Sequence, residues 1–320
     1  MKTVLCLVAA SLMSSAALAQ QNYPNRPMRM VVPWPPGQAT DLVGRVIAQK
    51  LGDILGYQVV VDNRAGAGGQ IGTDIVAKAS PDGYTLLAAS SGPVTIAPLL
   101  QKTPYVPARD LQPVAIAGLA AYVLVTTPSF PAKDTKEFIA LVKNNPGKYT
   151  YASSGTGAAA HLAVEYFNSV AGIKAVHVPY KGSVTALTDV ISGQVTYMTE
   201  TVSATMPLVR SGKLKAYGVS TLKPSALAPG VPPYAATAEM SGFDFAAWIG
   251  VMVAAGTPKA MVDKITGAVN QVLQTQDARD KLGSVGLDVN YFRAEDMAAY
   301  LKKQSTQVAD IIKRANIKIE

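Results

Sequence analysis

Cysteine and histidine are almost absent from this sequence. Cys6 is the one cysteine in 320 residues, and His161 and His177 are the two histidines. Cys6 lies in an N-terminal apolar run that we expect to be removed, which leaves no thiol for a disulfide, a cysteine nucleophile or a thiolate metal site. Two histidines are too few for a histidine-rich metal site. We therefore expect no metal ion and no cofactor.

Charged residues are scarce as well. Asp, Glu, Lys and Arg make up 16% of the chain against 49% hydrophobic residues, a balance typical of a soluble globular protein. The net charge of +8 favours anionic ligands, but the Lys and Arg residues are scattered, so nucleic acid is not an expected partner. A chain of this length exceeds the usual size of one hydrophobic core, which predicts two domains.

The N-terminus has the features of an export signal. Lys2 precedes an apolar run at 4–12, which is too short to span a bilayer and is followed by small residues ending in Ala17-Leu18-Ala19. This pattern predicts a signal peptide at 1–19, cleaved after Ala19, and a periplasmic mature protein. No twin arginine precedes the run, which favours export of the unfolded chain.

Strand-like and helix-like segments alternate from residue 28 onwards. Strand-like runs in a first unit lie at 28–32, 58–62 and 84–89, and in a second unit at 120–127, 149–153, 175–180, 195–199 and 214–220. A Pro- and Ala-rich segment follows, then one more strand at 243–256 and helices at 258–274, 277–286 and 295–315. The alternation predicts an α/β fold of two doubly wound, mainly parallel sheets.

Glycine and hydroxyl residues are concentrated in the turns after the predicted strands. These turns read PWPPGQATD (33–41), NRAGAGG (63–69), SSG (90–92), SSGTG (153–157), PYKG (179–182) and TET (199–201). In open α/β sheets, ligands bind beyond the carboxyl ends of strands, where helix N-termini present free N–H groups. Turn preference alone explains any single turn, but several at one end of both sheets indicate an anion-binding site.

One of these turns also matches a dinucleotide-binding motif. Residues 155–160 satisfy G-x-G-x-x-A and precede a helix-like segment. A dinucleotide site needs an acidic residue roughly 20 positions further on, and no Asp or Glu occurs between Glu165 and Asp189. The motif therefore predicts an anion-binding turn rather than an NAD site.

Catalytic motifs have weak support. Ser220 begins an S-x-x-K match, but S-D-N, K-T-G and G-x-S-x-G are missing. His161 and Glu165 lie one helical turn apart, which favours a helix-stabilising or capping role. Trp34 and Trp248 could stack on a ligand or belong to the core. We expect no catalytic residue, and an exported serine-type hydrolase is the alternative to a binding protein.

Taken together, the motifs resemble the Bug-type (TctC-like) periplasmic solute receptors of tripartite tricarboxylate transport systems. Six stretches match in order and spacing: YPNRPMRMVVPWPPGQATD (23–41), VVVDNRAGAGGQIGTDIVAKASPDGYTLL (59–87), SSGTGAAAHLAVE (153–165), VPYKG (178–182), VRSGKLKAYGVS (209–220) and WIGVMVAAGTPKAMVDKI (248–265). The resemblance implies a clamshell of two α/β domains joined by crossing strands. Domain 1 would comprise 20–120 and 225–320, and domain 2 would comprise 121–224.

The resemblance also implies a function and a site. A small carboxylate, such as a di- or tricarboxylate or an aromatic carboxylate, would bind between the domains of a monomer and pass to integral membrane subunits of a transporter. A sensory receptor with the same cleft is a further alternative. By this resemblance one ligand carboxylate would be held largely by backbone N–H groups of Gly37, Gln38, Ala39, Thr40, Ala67, Gly68 and Gly69, with Ser90 nearby. The further predicted ligand-binding residues are Trp34, Ser153, Ser154, Thr156, Tyr180 and Thr199.

Three departures from the family pattern bear on the ligand. Gln38 stands where a second glycine is usual, Ala158 replaces a frequent hydroxyl residue, and Thr199-Glu200 stands where a Phe-Asp pair is usual. We expect Thr199 to leave room for a longer ligand and Glu200 to point outward at a helix start. That orientation favours a dicarboxylate or an aromatic carboxylate over an amino acid.

Basic residues are missing from the turns 33–41 and 153–157. Arg64 and Lys181 lie in neighbouring turns and are expected to face solvent. Recognition is therefore predicted to depend on neutral donors and helix N-termini.

Overall fold

The computed structural model describes residues 23–289, 294–314 and 317; the predicted signal peptide lies outside them. The strands are β1 (Met28–Val32), β2 (Val59–Asn63), β3 (Thr85–Ser90), β4 (Leu111–Thr126), β5 (Thr150–Ser153), β6 (Val176–Pro179), β7 (Tyr197–Thr201), β8 (Lys215–Val219) and β9 (Ala246–Ala254). The α-helices are α1 (Ala39–Leu55), α2 (Gln70–Ala77), α3 (Ala97–Leu100), α4 (Pro107–Asp110), α5 (Thr135–Lys143), α6 (Ala159–Ala171), α7 (Ser183–Ser192), α8 (Val202–Arg210), α9 (Lys259–Gln274), α10 (Gln276–Ser284) and α11 (Ala294–Arg314). Short 3-10 turns cover Ala67–Gly69, Tyr234–Ala236 and Ala238–Met240, and a π-helical turn covers Gly92–Ile96.

The strands form one mixed sheet in the order β2-β1-β3-β9-β4-β7-β5-β6, with β8 paired to β4. At one end β1 is parallel to β2 and β3, and at the other end β5 is parallel to β6 and β7. Strands β4 and β9 are antiparallel to their neighbours and join the two ends. The predicted α/β class, with two units joined by crossing strands, is confirmed. We call β1–β3 with α1, α2, α9 and α10 the first lobe, and β5–β8 with α5–α8 the second lobe.

Strand β4 is longer than the sequence predicted. Its residues 111–121 pair with β9, and its residues 122–126 pair with β7. The first part was missed because Pro113 and Gly118 interrupt the strand pattern. Both positions lie at shifts of register between β4 and β9. A Cβ atom at Gly118 would lie 2.2 Å from the carbonyl oxygen of Asp288, so the close approach of these two segments requires glycine.

Each lobe buries its own core. The first is mainly aliphatic and includes Met30, Val43 and Ile265. The second is aromatic: the ring of Phe138 lies 5.1 Å from that of Tyr197 in an edge-on arrangement. Separate cores of this kind favour lobes that keep their internal structure if they move relative to each other.

Helix α1 carries the first lobe's part of the site. Val43, Ile47 and Leu51 recur at a spacing of four and are fully buried against the sheet. Gly56 ends the helix in the left-handed conformation, with φ of 76°. This packing places the N-terminus of α1 beyond the carboxyl end of β1.

Helix α11 contacts both lobes. Met297 belongs to the cluster that contains Ile116 and Trp248 from the crossing strands. Further along the helix, Val308 and Ile311 belong to the aromatic cluster of the second lobe. Helix α11 therefore packs on both lobes, whereas α9 and α10 pack on the first. Over the residues that the structure describes, no helix is both long and apolar enough to cross a membrane.

Candidate functional site

A small cavity of about 40 Å³ lies between the two lobes, beside the crossing strands. The first lobe and the turn after β3 contribute Trp34, Gln38, Ala39, Thr40, Ser90, Ser91 and Gly92. The crossing strands contribute Ala120, Tyr122, Ala247 and Ile249, and the second lobe contributes Ser154, Ala159, Ala160, Glu200 and Thr201. This volume has room for only a few water molecules.

Three helices begin at this cavity without a side-chain cap. Gln38 precedes α1, Ala158 precedes α6 and Thr201 precedes α8, and none of the three side chains accepts a hydrogen bond from its own helix. The first N–H groups of a helix have no partner within it and carry partial positive charge. Because residues from all three N-termini line one cavity, the arrangement suits an anion that binds between the lobes.

The first lobe adds side-chain donors to this arrangement. The indole N–H of Trp34 donates to Ser90 Oγ at 3.0 Å and so fixes both side chains at the cavity wall. Gln38 is 7% exposed, and its amide Nε2 has no hydrogen-bond partner among the residues described. The same holds for the hydroxyl of the buried Ser91. A buried donor without a partner is costly, so these groups are suited to a ligand oxygen.

Asp41 holds the turn in front of α1. Its carboxylate accepts hydrogen bonds from the N–H of Gly37 at 2.9 Å, from Arg45 Nε at 3.0 Å and from Asn63 Nδ2 at 2.8 Å. Asn63 also donates to the carbonyl oxygen of Trp34 at 2.9 Å, which ties the end of β2 to the turn. Burial acts to raise the pKa of Asp41, but these hydrogen bonds outweigh it and the pKa lies below its usual value.

Replacing Asp41 with asparagine is expected to destabilise the protein by about 1–3 kcal/mol at pH 7, because buried donors lose an ionised acceptor. A folded-state pKa below the unfolded one gives stability that is present above the unfolded value, near 4, and is lost as pH falls through the folded value. The loss of melting temperature in Asp41→Asn should therefore be full at pH 7 and shrink below about pH 4. Thermal melts across this range test it, with the exposed Asp53→Asn as control. A loss that stays constant down to pH 3 would contradict the assignment.

Glu200, at the end of β7, forms part of the second lobe's wall. Its side chain is 5% exposed, and Oε1 accepts the N–H of Thr201 at 2.8 Å. Oε2 is buried and has no hydrogen-bond partner in the described part of the chain. Burial raises the pKa of Glu200 to about 7, although Thr201 and the neighbouring Ser154 act to lower it.

The prediction that Glu200 points outward is therefore wrong. Helix α8 begins at Val202 with Thr201 as its N-cap, so Glu200 still belongs to the buried strand β7 rather than to the helix start. Thr199 is fully buried and does not line the cavity, and its hydroxyl faces Tyr234. The preference for a dicarboxylate over an amino acid, which depended on an outward Glu200, loses that support.

The remaining predicted site residues do not line the cavity. Ala67, Gly68, Thr156 and Tyr180 line a separate open groove of about 460 Å³ together with Lys181. Gly37, Gly69 and Ser153 line neither the cavity nor this groove. Arg64 and Lys181 are exposed, as predicted, and Arg64 pairs with Asp62.

The two lobes meet beside this groove. A Cβ atom on Gly68 would lie 2.6 Å from the carbonyl oxygen of Thr156, and one on Gly182 would lie 2.8 Å from Pro35. Gly68 also has a positive φ of 62°. The contacts show that the turns of the two lobes approach as closely as their backbones allow.

The groups considered for catalysis have structural partners instead. Ser220 is fully buried, donates to the carbonyl oxygen of Phe245 at 2.6 Å and accepts the N–H of Tyr122 at 2.9 Å. His161 Nδ1 accepts the N–H of Gly157, just before the start of α6, at 3.4 Å. The motif at 155–160 thus has its helix N-terminus at the cavity, and His161 holds the turn in front of it.

Ser153 and His177 form a pair that the sequence did not reveal. Ser153 Oγ lies 2.7 Å from His177 Nε2, and the ring of His177 stacks on that of His161 at 4.4 Å. Burial lowers the pKa of His177 to about 4. Ser153 is fully buried and also accepts the N–H of Gly155, so the pair holds the glycine turn in place. Among the described residues, no three His, Cys, Asp or Glu side chains are grouped closely enough to bind a metal ion.

Two α/β lobes, joined by crossing strands around a cavity lined by helix N-termini, define a two-lobed solute-binding protein of the periplasmic type. Residues 43–317 match the "Tripartite tricarboxylate transporter family receptor" family, and the chain belongs to this family. The Protein BugT of Bordetella pertussis is 34% identical over 310 residues, which cover 96% of this chain and 94% of BugT. The resemblance inferred from the motifs is thus confirmed.

Two solved structures from Rhodopseudomonas palustris are similar over their whole length. One, determined with adipate, has a TM-score of 0.88 and 29% identity and covers 92% of this chain and 99% of its own. The other is MatC with bound malate, with a TM-score of 0.84, 31% identity and coverage of 91% and 100%.

Proposed function

We propose that this chain is a periplasmic receptor that captures a small organic carboxylate between its lobes and delivers it to the membrane subunits of a tripartite transporter, without catalysing a reaction. The observation that carries the proposal is the convergence of three uncapped helix N-termini on one cavity. The adipate and malate in the two R. palustris structures support it. In this proposal 1–19 is cleaved, domain 1 comprises 20–120 and 225–320, domain 2 comprises 121–224, and the protein is a monomer.

The energetics are sufficient for such a ligand. Each hydrogen bond to a charged oxygen contributes about 1.5–3 kcal/mol. Micromolar binding requires about −8 kcal/mol after the loss of translational and rotational freedom. Several backbone N–H groups, together with the unpartnered Gln38 and Ser91, supply enough donors for one carboxylate.

A thermal-shift screen tests the proposal, because a ligand that binds only the folded state raises its stability. The panel contains citrate, linear dicarboxylates including adipate and malate, acidic amino acids, nicotinate and terephthalate. We expect at least one carboxylate to raise the melting temperature, while its neutral amide at the same concentration does not. Equal stabilisation by acid and amide, or turnover of an ester that a serine substitution abolishes, would contradict the proposal. Uptake by vesicles that contain the membrane subunits tests delivery and separates it from a sensory role.

A further inference from the structure

Glu200 is an acidic group in a cavity otherwise suited to anions. Its Oε1 atom accepts the N–H of Thr201, and its buried Oε2 atom has no partner in hydrogen-bond geometry among the described residues, although the hydroxyls of Ser154 and Thr201 lie close enough to lower the pKa of the carboxyl group. The side chain is 5% exposed and belongs to the cavity wall. The second lobe therefore presents an acceptor to the ligand.

Among the described residues, no positively charged side chain pairs with the carboxylate of Glu200. The groups that face it are the hydroxyl of Tyr122 from β4, the hydroxyl of Ser154 after β5, and Thr201 at the start of α8. Burial and the nearby Glu200 raise the pKa of Tyr122 well above its usual value, so its hydroxyl stays neutral. Lys, Arg and His do not occur among the described residues that line the cavity. A buried carboxylate without a counter-ion is strongly unfavourable, which makes a ligand cation a fitting partner.

The opposite wall has the complementary chemistry. Gln38 Nε2 is a donor without a partner, is 7% exposed, and lies at the N-terminus of α1 on the first lobe. The cavity thus has a donor-rich wall on one lobe and an unpartnered carboxylate oxygen on the other. A ligand with two carboxylates would place one of them against Glu200, where like charges repel.

We propose that Glu200 binds an ammonium group of the ligand, so that this receptor selects carboxylates that also carry an amine. The inference rests on the proposed function, since the carboxylate of the same ligand would bind at the N-terminus of α1. It names Glu200 as the residue that sets the preference between an amino acid and a dicarboxylate.

Matched ligand pairs test this selection by titration calorimetry at pH 8, where Glu200 is mainly ionised. The pairs are 3-aminopropanoate with succinate, 4-aminobutanoate with glutarate, 5-aminopentanoate with adipate, and aspartate with succinate. In the first three pairs an ammonium replaces one carboxylate on a chain of equal length, and in the fourth an ammonium is added. We expect the best amine-bearing ligand to bind at least tenfold tighter than its partner.

Substitutions of Glu200 test whether the preference for amine-bearing ligands depends on this residue. Glu200→Gln should weaken the amine-bearing ligand at least tenfold and strengthen its dicarboxylate partner, whereas Glu200→Asp, which keeps the charge, should retain the preference in part. Glu165→Gln, a carboxylate of the second lobe outside the cavity lining, should leave it unchanged. Should Glu200→Gln fold poorly, the comparison of Glu200→Asp with wild type still tests the dependence on charge position.

Two results would overturn the inference in distinguishable ways. A wild-type preference for the dicarboxylates, with proton uptake on binding in buffers of different ionisation enthalpy, would make Glu200 a protonated donor and leave the carboxylate-binding function standing. A failure of both members of every pair, and of the wider carboxylate panel, would remove the proposed function and the inference together.

Discussion

Replacing Gly68 with alanine is expected to weaken ligand binding at least tenfold while the fold persists. The added Cβ atom would lie 2.6 Å from the carbonyl oxygen of Thr156, which is backbone of the other lobe and cannot rotate away. The two lobes would have to separate at Gly68 and Thr156 to relieve this contact. Separation would withdraw the α6 and α8 N-termini from a ligand held at α1, which costs the hydrogen bonds that they supply.

The matched control for this variant is Gly147→Ala. Gly147 has a φ of 75°, close to the 62° of Gly68, but a Cβ atom there would meet nothing within 4 Å. Both variants carry the backbone strain of a left-handed alanine, of about 1–2 kcal/mol, and only Gly68→Ala also carries the contact between lobes. Calorimetry should separate the two, and solution scattering should show a larger radius for ligand-saturated Gly68→Ala. Equal affinities in the two variants would show that closure at Gly68 is not needed for binding.

The second large effect is expected from Gln38→Glu, which should weaken carboxylate binding at least a hundredfold. The substitution keeps the size of the side chain but replaces a buried donor at the N-terminus of α1 with an acceptor of negative charge. The ligand would lose a charge-assisted hydrogen bond, worth about 1.5–3 kcal/mol, and would meet a like charge in a site with little solvent.

Two further variants separate the loss of the hydrogen-bond donor from the added negative charge. Gln38→Ala removes the donor without adding charge and should cost about tenfold in affinity, consistent with one hydrogen bond. Gln58→Glu adds the same charge at an exposed position away from the cavity and should change affinity little. If Gln38→Ala and Gln38→Glu bind the ligand as wild type does, the amide does not contact it and the carboxylate must bind elsewhere in the cavity.

The first lobe's wall could be predicted from sequence because its signals are local. A Gly-rich turn between a strand and a helix indicates an exposed N-terminus, and Trp34, Gln38 and Ser90 from such turns do line the cavity. Tyr122 and Ile249 line it as well, but they lie on strands that cross between lobes and read as ordinary core residues. Their role depends on how the two lobes meet, which no short stretch of sequence encodes.

In the second lobe, an error of one residue along β7 reversed the prediction of which side chain faces the cavity. Neighbouring residues of a strand face opposite sides of the sheet. An assignment that is wrong by one residue therefore places a core residue in the pocket wall and a pocket residue in the core. Thr199 was assigned to the ligand and Glu200 to the outside, whereas Thr199 is in the core and Glu200 lines the cavity. The short sequence TET gave no means of choosing between the two phases of the strand.

Helix α11 has a mechanical consequence for how the protein opens. Ala247 and Ile249 line the cavity, whereas the intervening Trp248 points to the opposite face of β9 and shares a cluster with Met297 of α11. The same helix also packs on the second lobe through Val308. It therefore holds the two lobes together on the side of the sheet opposite the cavity, where we expect the hinge to lie. We expect the lobes to separate at the contact between Gly68 and Thr156, while the side held by α11 stays closed. A ligand would then enter and leave from one side only.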